Sequence, residues 1–148
     1  MLYLRQIKTV LMLNETNYTA IVLFDGVCNL CNSSINFIIR HDKKNRFMFA
    51  ALQSEKGIEI LKQYGFNSAV TNSIVLIKNK NIFLKSSAAL QIAKSLNGLF
   101  PALYIFMIIP PFIRNIVYDF IAANRYKWFG KKEVCMIPTE ELKSKFIS

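Results

Sequence analysis

Two cysteines separated by two residues, Cys28 and Cys31, are the side chains in this sequence best suited to chemistry. An apolar run, Ile21-Val22-Leu23-Phe24, comes just before them and ends at Asp25-Gly26. A strand therefore feeds a tight turn, and the turn delivers the cysteines to the start of a helix. A helix N-terminus carries partial positive charge, which favours a thiolate over a thiol. The thiolate is the nucleophile of disulfide exchange, and a thiol three residues on can resolve the mixed disulfide. The spacing points to a thiol–disulfide redox site in which Cys28 attacks and Cys31 resolves. Helical periodicity from about Val27 to His41 places Cys28 in the first turn, near solvent. It places Cys31 on the inward face with Ile35, Ile38 and Ile39.

Asp25 lies three residues before the nucleophile. It can accept a proton from Cys31 through water, which needs a raised pKa and hence burial. It can equally form the turn or cap the helix, which needs only geometry. A metal site is the rival use of the cysteines. Tetrahedral zinc takes four ligands, and the soft ligands are Cys28, Cys31, Cys135 and His41. His41 falls ten residues after Cys31, about 15 Å along the same helix, so no metal is expected. His41 itself reads as an ordinary polar residue near a helix C-terminus. Cys135 is either a third redox thiol or, more commonly for a free cysteine, a small buried hydrophobe. Arg125, Tyr126, Trp128 and Phe129 could stack on a nucleotide. Packing of a terminal element, with the cationic heads in solvent, is the favoured reading.

The elements that must hold this site follow from pattern. Ile21–Phe24 is a short buried strand, and the segment 46–52 is a second strand, joined to the first through the cysteine helix. Ser54 is placed to cap a helix carrying Ile58 and Leu61 inward, with Gly65 after it. Ile74–Ile77 and Ile82–Leu84 flank the polar cluster 78–81 and read as a hairpin. Ser86 or Ser87 caps a further helix with Leu90, Ala93 and Leu96 inward. The uncharged stretch 99–113 is shorter than the roughly 20 residues of a membrane span and is cut by Pro110-Pro111, so it reads as two buried helical pieces without a transmembrane span. A last helix begins at Pro110-Pro111 with Ile113, Ile116, Val117, Phe120 and Ile121 as its apolar stripe. The order β-α-β-α-β-β-α, then extra helices, predicts an α/β domain: a four-stranded mixed sheet with flanking helices and an extra C-terminal helical segment, the layout of a thioredoxin-like fold.

Composition sets the bounds. The chain has 148 residues, is 53% hydrophobic and carries a net charge of +10, which fits one domain with an ample core. The expected division is a loose leader over 1–19, the domain over 20–138 and a tail over 139–148. The basic residues are dispersed and no nucleic-acid motif accompanies them, so a solvated basic surface is expected and nucleic acid is not. Three cysteines are too few for a disulfide-stapled secreted scaffold, and the first 18 residues lack a long apolar core. Cytoplasmic residence is the expectation. No Gly-x-Gly-x-x-Gly fingerprint occurs, so no cofactor is expected. The electron donor is expected to be a dithiol protein or a small thiol.

With these residues in place, Asp25-Gly26-Val27-Cys28-Asn29-Leu30-Cys31 resembles the Asp-Gly-x-Cys-x-x-Cys signature of the DCC family of predicted thiol–disulfide oxidoreductases. Asn124-Arg125-Tyr126-Lys127-Trp128-Phe129-Gly130 resembles that family's second element, and Cys135-Met136-Ile137-Pro138 its trailing Cys-x-x-Pro. The resemblance spans roughly Ala20 to Pro138 and implies a thiol–disulfide oxidoreductase of thioredoxin-like fold; a disulfide-containing or dithiol protein, or a small thiol, is the expected partner. One departure from thioredoxins stands out. They place a cis-proline just before the third strand, and Val70-Thr71-Asn72-Ser73-Ile74 holds none, so the peptide-binding surface differs from theirs. A non-enzymatic module that docks a protein or membrane through its basic and apolar surfaces is the alternative.

Overall fold

The structure is a computed structural model and describes residues 20–66, 73–131 and 145–147. The loose-leader reading, the position of Cys135 and most of the expected tail lie outside these residues. Four strands form one mixed sheet in the order β2-β1-β3-β4: β1 Ala20–Phe24, β2 Phe47–Ala51, β3 Val75–Lys78 and β4 Asn81–Leu84. The central strand β1 runs parallel to β2, with Val22 opposite Phe49, and antiparallel to β3, with Val22 opposite Leu76. Both faces of β1 are covered, which is why its sequence is an unbroken apolar run. The β3–β4 turn holds Asn79 and Lys80 at φ of 52° and 65°, the left-handed pair that matches strand twist in a two-residue hairpin.

Alternation along the strands divides the core in two. Val22, Phe24, Phe47, Phe49 and Leu76 face one side. There they meet Ile35 and Ile38 of α1 (Asn29–His41) and Ala88, Ile92 and Leu96 of α3 (Lys85–Ser95). Ile21, Leu23, Val75 and Ile77 face the other side, against Ile60 and Leu61 of α2 (Glu55–Gln63). Each of these large side chains contributes about 1.5–3 kcal/mol by leaving water. Phe146 closes the first core near β2, stacking edge-on against Phe24 at 6.1 Å.

The fold is thus the α/β arrangement expected, a four-stranded mixed sheet flanked by helices and followed by a C-terminal helix, consistent with a thioredoxin-like fold. Ser54 caps α2, accepting the Gly57 N–H at 3.0 Å. The inward residues of α2 are Ile60 and Leu61, with Ile58 only half buried. Ser86 and Ser87 do not cap α3: its N-cap is Leu84, without a side-chain bond. Both serines lie in the first turn and accept from Arg114 instead. Leu90, expected inward, is half exposed, and Ile92 takes the core position.

The largest correction concerns the C-terminal third. The stretch expected to be two buried helical pieces is a 3-10 helix, Phe100–Ile108, with no buried residue, followed by α4, Pro111–Phe129. The apolar stripe of α4 faces outward: Ile116, Val117 and Phe120 are each 60% exposed or more. Its polar side chains face the domain. Tyr118 accepts the Ile74 N–H at 3.0 Å, Asn115 meets Ser86, Asp119 pairs with Lys85 at 2.9 Å, and Arg125 reaches the interior. Periodicity identified the two faces of this helix. It could not say which one the domain would claim, because the anchoring partners lie far away in sequence.

Gly57 marks the tightest contact of the sandwich. A Cβ there would stand 2.1 Å from the Ala51 carbonyl oxygen, so α2 seats on the end of β2 only without one. Gly57→Ala should lower stability by about 1–3 kcal/mol, the usual cost of overpacking, against the small gain alanine brings an unconstrained helix. Chemical denaturation measures it, and an unchanged or raised midpoint would show that α2 is free to shift.

Candidate active site

The turn after β1 is built around one carboxylate. Asp25 is buried, and its Oδ1 accepts from the Val27 N–H at 3.1 Å and from Gln53 Nε2 at 2.6 Å. Its Oδ2 accepts from Arg125 at 3.1 Å and from the Tyr126 hydroxyl. The bond to Val27, two residues on, is an Asx-type turn. Gln53 closes the loop by accepting the Gly26 N–H at 3.0 Å, and Asn32 donates to the Gly26 carbonyl at 3.1 Å. Every member of this network holds the backbone that leads into Cys28.

Cys28 is the N-cap residue of α1, and its sulfur accepts the Cys31 N–H at 3.3 Å. An N-cap acceptor satisfies one of the free N–H groups at a helix start. Sulfur occupies the position that serine or aspartate usually fills, so Asp25 does not cap the helix. The Cys31 N–H and the positive end of the helix both point at this sulfur.

The exposure of the two thiols is the reverse of the sequence expectation. Cys28 is fully buried, while Cys31 is half buried and faces a cavity. The chain beyond α4 lies against Cys28. Lys131 forms an isolated antiparallel bridge with it, Asn29 N–H donates to the Gly130 carbonyl at 3.4 Å, and Asn29 Nδ2 donates to the Phe129 carbonyl at 2.8 Å. Gly130 permits this approach: it stands at φ +86°, and a Cβ on it would fall 2.9 Å from Asn29 Nδ2. Helical spacing alone cannot report a strap contributed from about a hundred residues away.

Electrostatics separates the thiols further. Burial, a hydrogen bond to Cys28 and the charge of Cys28 push the Cys31 thiol up to about 12, with Asp25 adding to this and Arg125 opposing it. For Arg125, burial works against its charge, but the bond to Tyr126 and the fields of Cys31, Tyr126 and Asp25 outweigh it and hold the guanidinium above its ordinary range. Burial and the bond to Asp25 likewise raise the Tyr126 phenol, which keeps it a donor. Burial raises Tyr118 as well.

Asp25, Cys31, Ser73, Tyr118 and Arg125 meet at one cavity of ≈ 580 Å³. Arg125 and Tyr126 were expected to pack a terminal element. They do so by binding Asp25, which makes them part of the site. The buried aspartate was the available signal, because such a group requires a cationic partner. His41 ends α1 and packs against Phe37 and Phe100 at 4.2 and 4.8 Å. Among the described residues, no three of His, Cys, Asp and Glu gather as metal ligands would. No helix among them is long and apolar enough to cross a membrane.

This dithiol turn on a thioredoxin-like frame has relatives. The family model of the DCC1-like thiol-disulfide oxidoreductases matches residues 22–131, and the chain belongs to that family. It is 41% identical to the Bacillus subtilis (strain 168) protein YuxK over 136 residues, covering 92% of this chain and 99% of that one. It is 40% identical to a chloroplastic DCC family protein of Arabidopsis thaliana over 122 residues, covering 82% of this chain and 71% of the plant protein. No solved structure matches.

The Asp25–Arg125 pair sets a clear expectation. Removing one partner of a buried ion pair leaves the other charge without compensation. Arg125→Met should therefore destabilise the protein by about 3–5 kcal/mol. Asp25→Leu combined with Arg125→Met should recover much of that loss. A double-mutant cycle by denaturation measures the coupling, and strictly additive effects would show the pair to be independent.

Proposed function

We propose that the protein is a thiol–disulfide oxidoreductase whose Cys28 and Cys31 cycle between dithiol and disulfide. Family membership supports the redox role. The observation that carries the division of labour is the Cys28 sulfur at the helix N-cap, bonded to the Cys31 N–H, beside a Cys31 thiol held at about 12. At pH 7 such a thiol is ionised in only about one molecule in 10⁵, so Cys31 does not begin the reaction. Cys28 does. Its thiolate attacks a substrate disulfide, one S–S bond forms at Cys28, and the other substrate sulfur leaves as a thiolate.

That step changes the field at Cys31. Once Cys28 carries no charge, two of the causes that hold Cys31 protonated are gone. Cys31 loses its proton to solvent through the cavity it lines and attacks the Cys28 sulfur. The substrate's second sulfur leaves, and the Cys28–Cys31 disulfide remains. The enzyme has lost two electrons and the substrate disulfide has gained them. Access to Cys28 requires the strap at 129–131 to yield. Two hydrogen bonds at about 1 kcal/mol each make this roughly a thirtyfold penalty. A cytoplasmic, reducing setting would return the pair to the dithiol.

A second reading is favoured by the exterior. Among the described residues, fourteen of the fifteen exposed large apolar side chains lie between Leu99 and Phe129. A patch of this extent marks an interaction surface. With a net charge of +10, an anionic membrane surface is the complementary partner. Phe112→Ser with Ile116→Ser should then reduce co-sedimentation with vesicles containing acidic phospholipid. Equal recovery with neutral and acidic vesicles would argue against lipid.

The redox reading is tested by equilibrating the protein in glutathione buffers and counting alkylated thiols by mass spectrometry, with Cys135→Ser as background. A reversible two-electron couple between about −120 and −270 mV, the span of exchange proteins, is expected. A pair that never oxidises, or one fixed below about −300 mV, would remove the enzymatic function.

A further inference from the structure

Cys31 stands at one end of the cavity of ≈ 580 Å³, a volume typical of sites that enclose a small ligand. The cavity follows α1 from Leu30 to Ile38, about 12 Å of helix by its rise per residue. Ile92 and Ala93 of α3 and Ile121 and Ala122 of α4 form its other walls. Polar groups gather near the thiol: Arg125 is bonded to Asp25, and the Tyr118 hydroxyl is engaged by the Ile74 N–H. The far end is apolar, where Phe37 and Phe100 meet edge to face at 5.0 Å. Phe37, Leu103 and Ile121 line the cavity and are also 41–43% exposed. Its mouth therefore opens onto the apolar exterior.

Cys28, which attacks the substrate disulfide, does not line this cavity, and Cys31 does. A separate entry to Cys31 gives the opposite half-reaction, in which the oxidised pair is reduced again, a route of its own. We infer that this cavity binds a small thiol with an apolar body, an alkyl or aryl thiol, which acts as the electron donor to the Cys28–Cys31 disulfide. The inference rests on the redox reading above. The donor's thiolate attacks the Cys31 sulfur, a bond forms between them, and the Cys28–Cys31 bond breaks. The electron pair leaves on Cys28, where the helix start and the Cys31 N–H receive it. A second donor thiolate attacks the donor sulfur of the mixed disulfide, releasing the donor disulfide, and Cys31 takes up a proton. Two thiols are oxidised to one disulfide and the protein disulfide is reduced to a dithiol. A peptide chain fits poorly here, because its N–H and C=O groups would find few polar partners along these walls. The charged groups of glutathione would lose hydration for the same reason.

Two measurements test this. The oxidised protein is reduced with ethanethiol, butanethiol and hexanethiol, and half-saturation should fall about fourfold per added methylene. Independently, hexyl methyl sulfide, which cannot exchange, is titrated into the reduced protein while methyl NMR signals are followed. Saturable shifts at Ile92 and Ile121, lost in Ala122→Phe with the Val22 and Leu76 signals unmoved, are expected. A flat chain-length series, shifts confined to the exterior residues Ile116 and Val117, or reduction by a dithiol protein but by no alkanethiol would each overturn the inference. A pair that never oxidises would instead sink the redox reading, and the thioether titration would still report on the cavity.

Discussion

Asp25 is only 4% exposed, so its carboxylate must be surrounded by donors, and it has four of them. Burial of an unpaired charge is far costlier than any surface contact can offset. The requirement reaches across a hundred residues, because the only way to bring Arg125 and Tyr126 to Asp25 is to lay the end of α4 beside the turn after β1. Once α4 is placed so, Tyr118, Asn115 and Asp119 find partners on the domain, and the apolar stripe must face outward. The direction of a whole helix thus follows from one buried charge. The pair adds less to net stability than its geometry suggests, since both charges had to leave water. What it secures is position.

That position determines how the two thiols differ. The turn held by Asp25 sets Cys28 at the N-cap of α1, and the same α4 terminus brings Gly130 and Lys131 against it. Cys28 is therefore covered, with its sulfur at the positive end of the helix. Cys31, one helical turn on, is open to the cavity and in a field that opposes charge. In the redox cycle proposed above, Cys28 would be reached at the strap and Cys31 at the cavity.

Much of the frame was legible in the residues. Asp25-Gly26 after an apolar run, Ser54 before an amphipathic run and a polar cluster between apolar runs each encode a local conformation. The strands and α1 and α2 accordingly lie within a residue or two of expectation. The cysteine spacing points to a dithiol because it depends on one helical turn, and the family match supports a redox role. What escaped was set by distant contacts. Cys28 was expected near solvent, and Lys131 and Gly130 bury it. Periodicity marks Ile113 to Ile121 as an apolar stripe, a face that normally seeks the core, and the polar demands of Asp25 and Ile74 take precedence. Ser86 and Ser87 have the composition of a helix cap, and Arg114 claims both.

After burial, the hydrogen bond to Cys28 and the charge of Cys28 are what hold the Cys31 thiol up. The direct measurement is the alkylation rate of Cys31 against pH, resolved by peptide mass spectrometry, in the wild-type protein and in Cys28→Ser. Buried beside Cys28, Cys31 is a raised acid. Its reactivity should climb about tenfold per pH unit toward an inflection near 12. Serine at position 28 carries no charge, so the inflection should move to lower pH and Cys31 should react faster at neutrality. Coincident profiles for the two proteins would contradict the account.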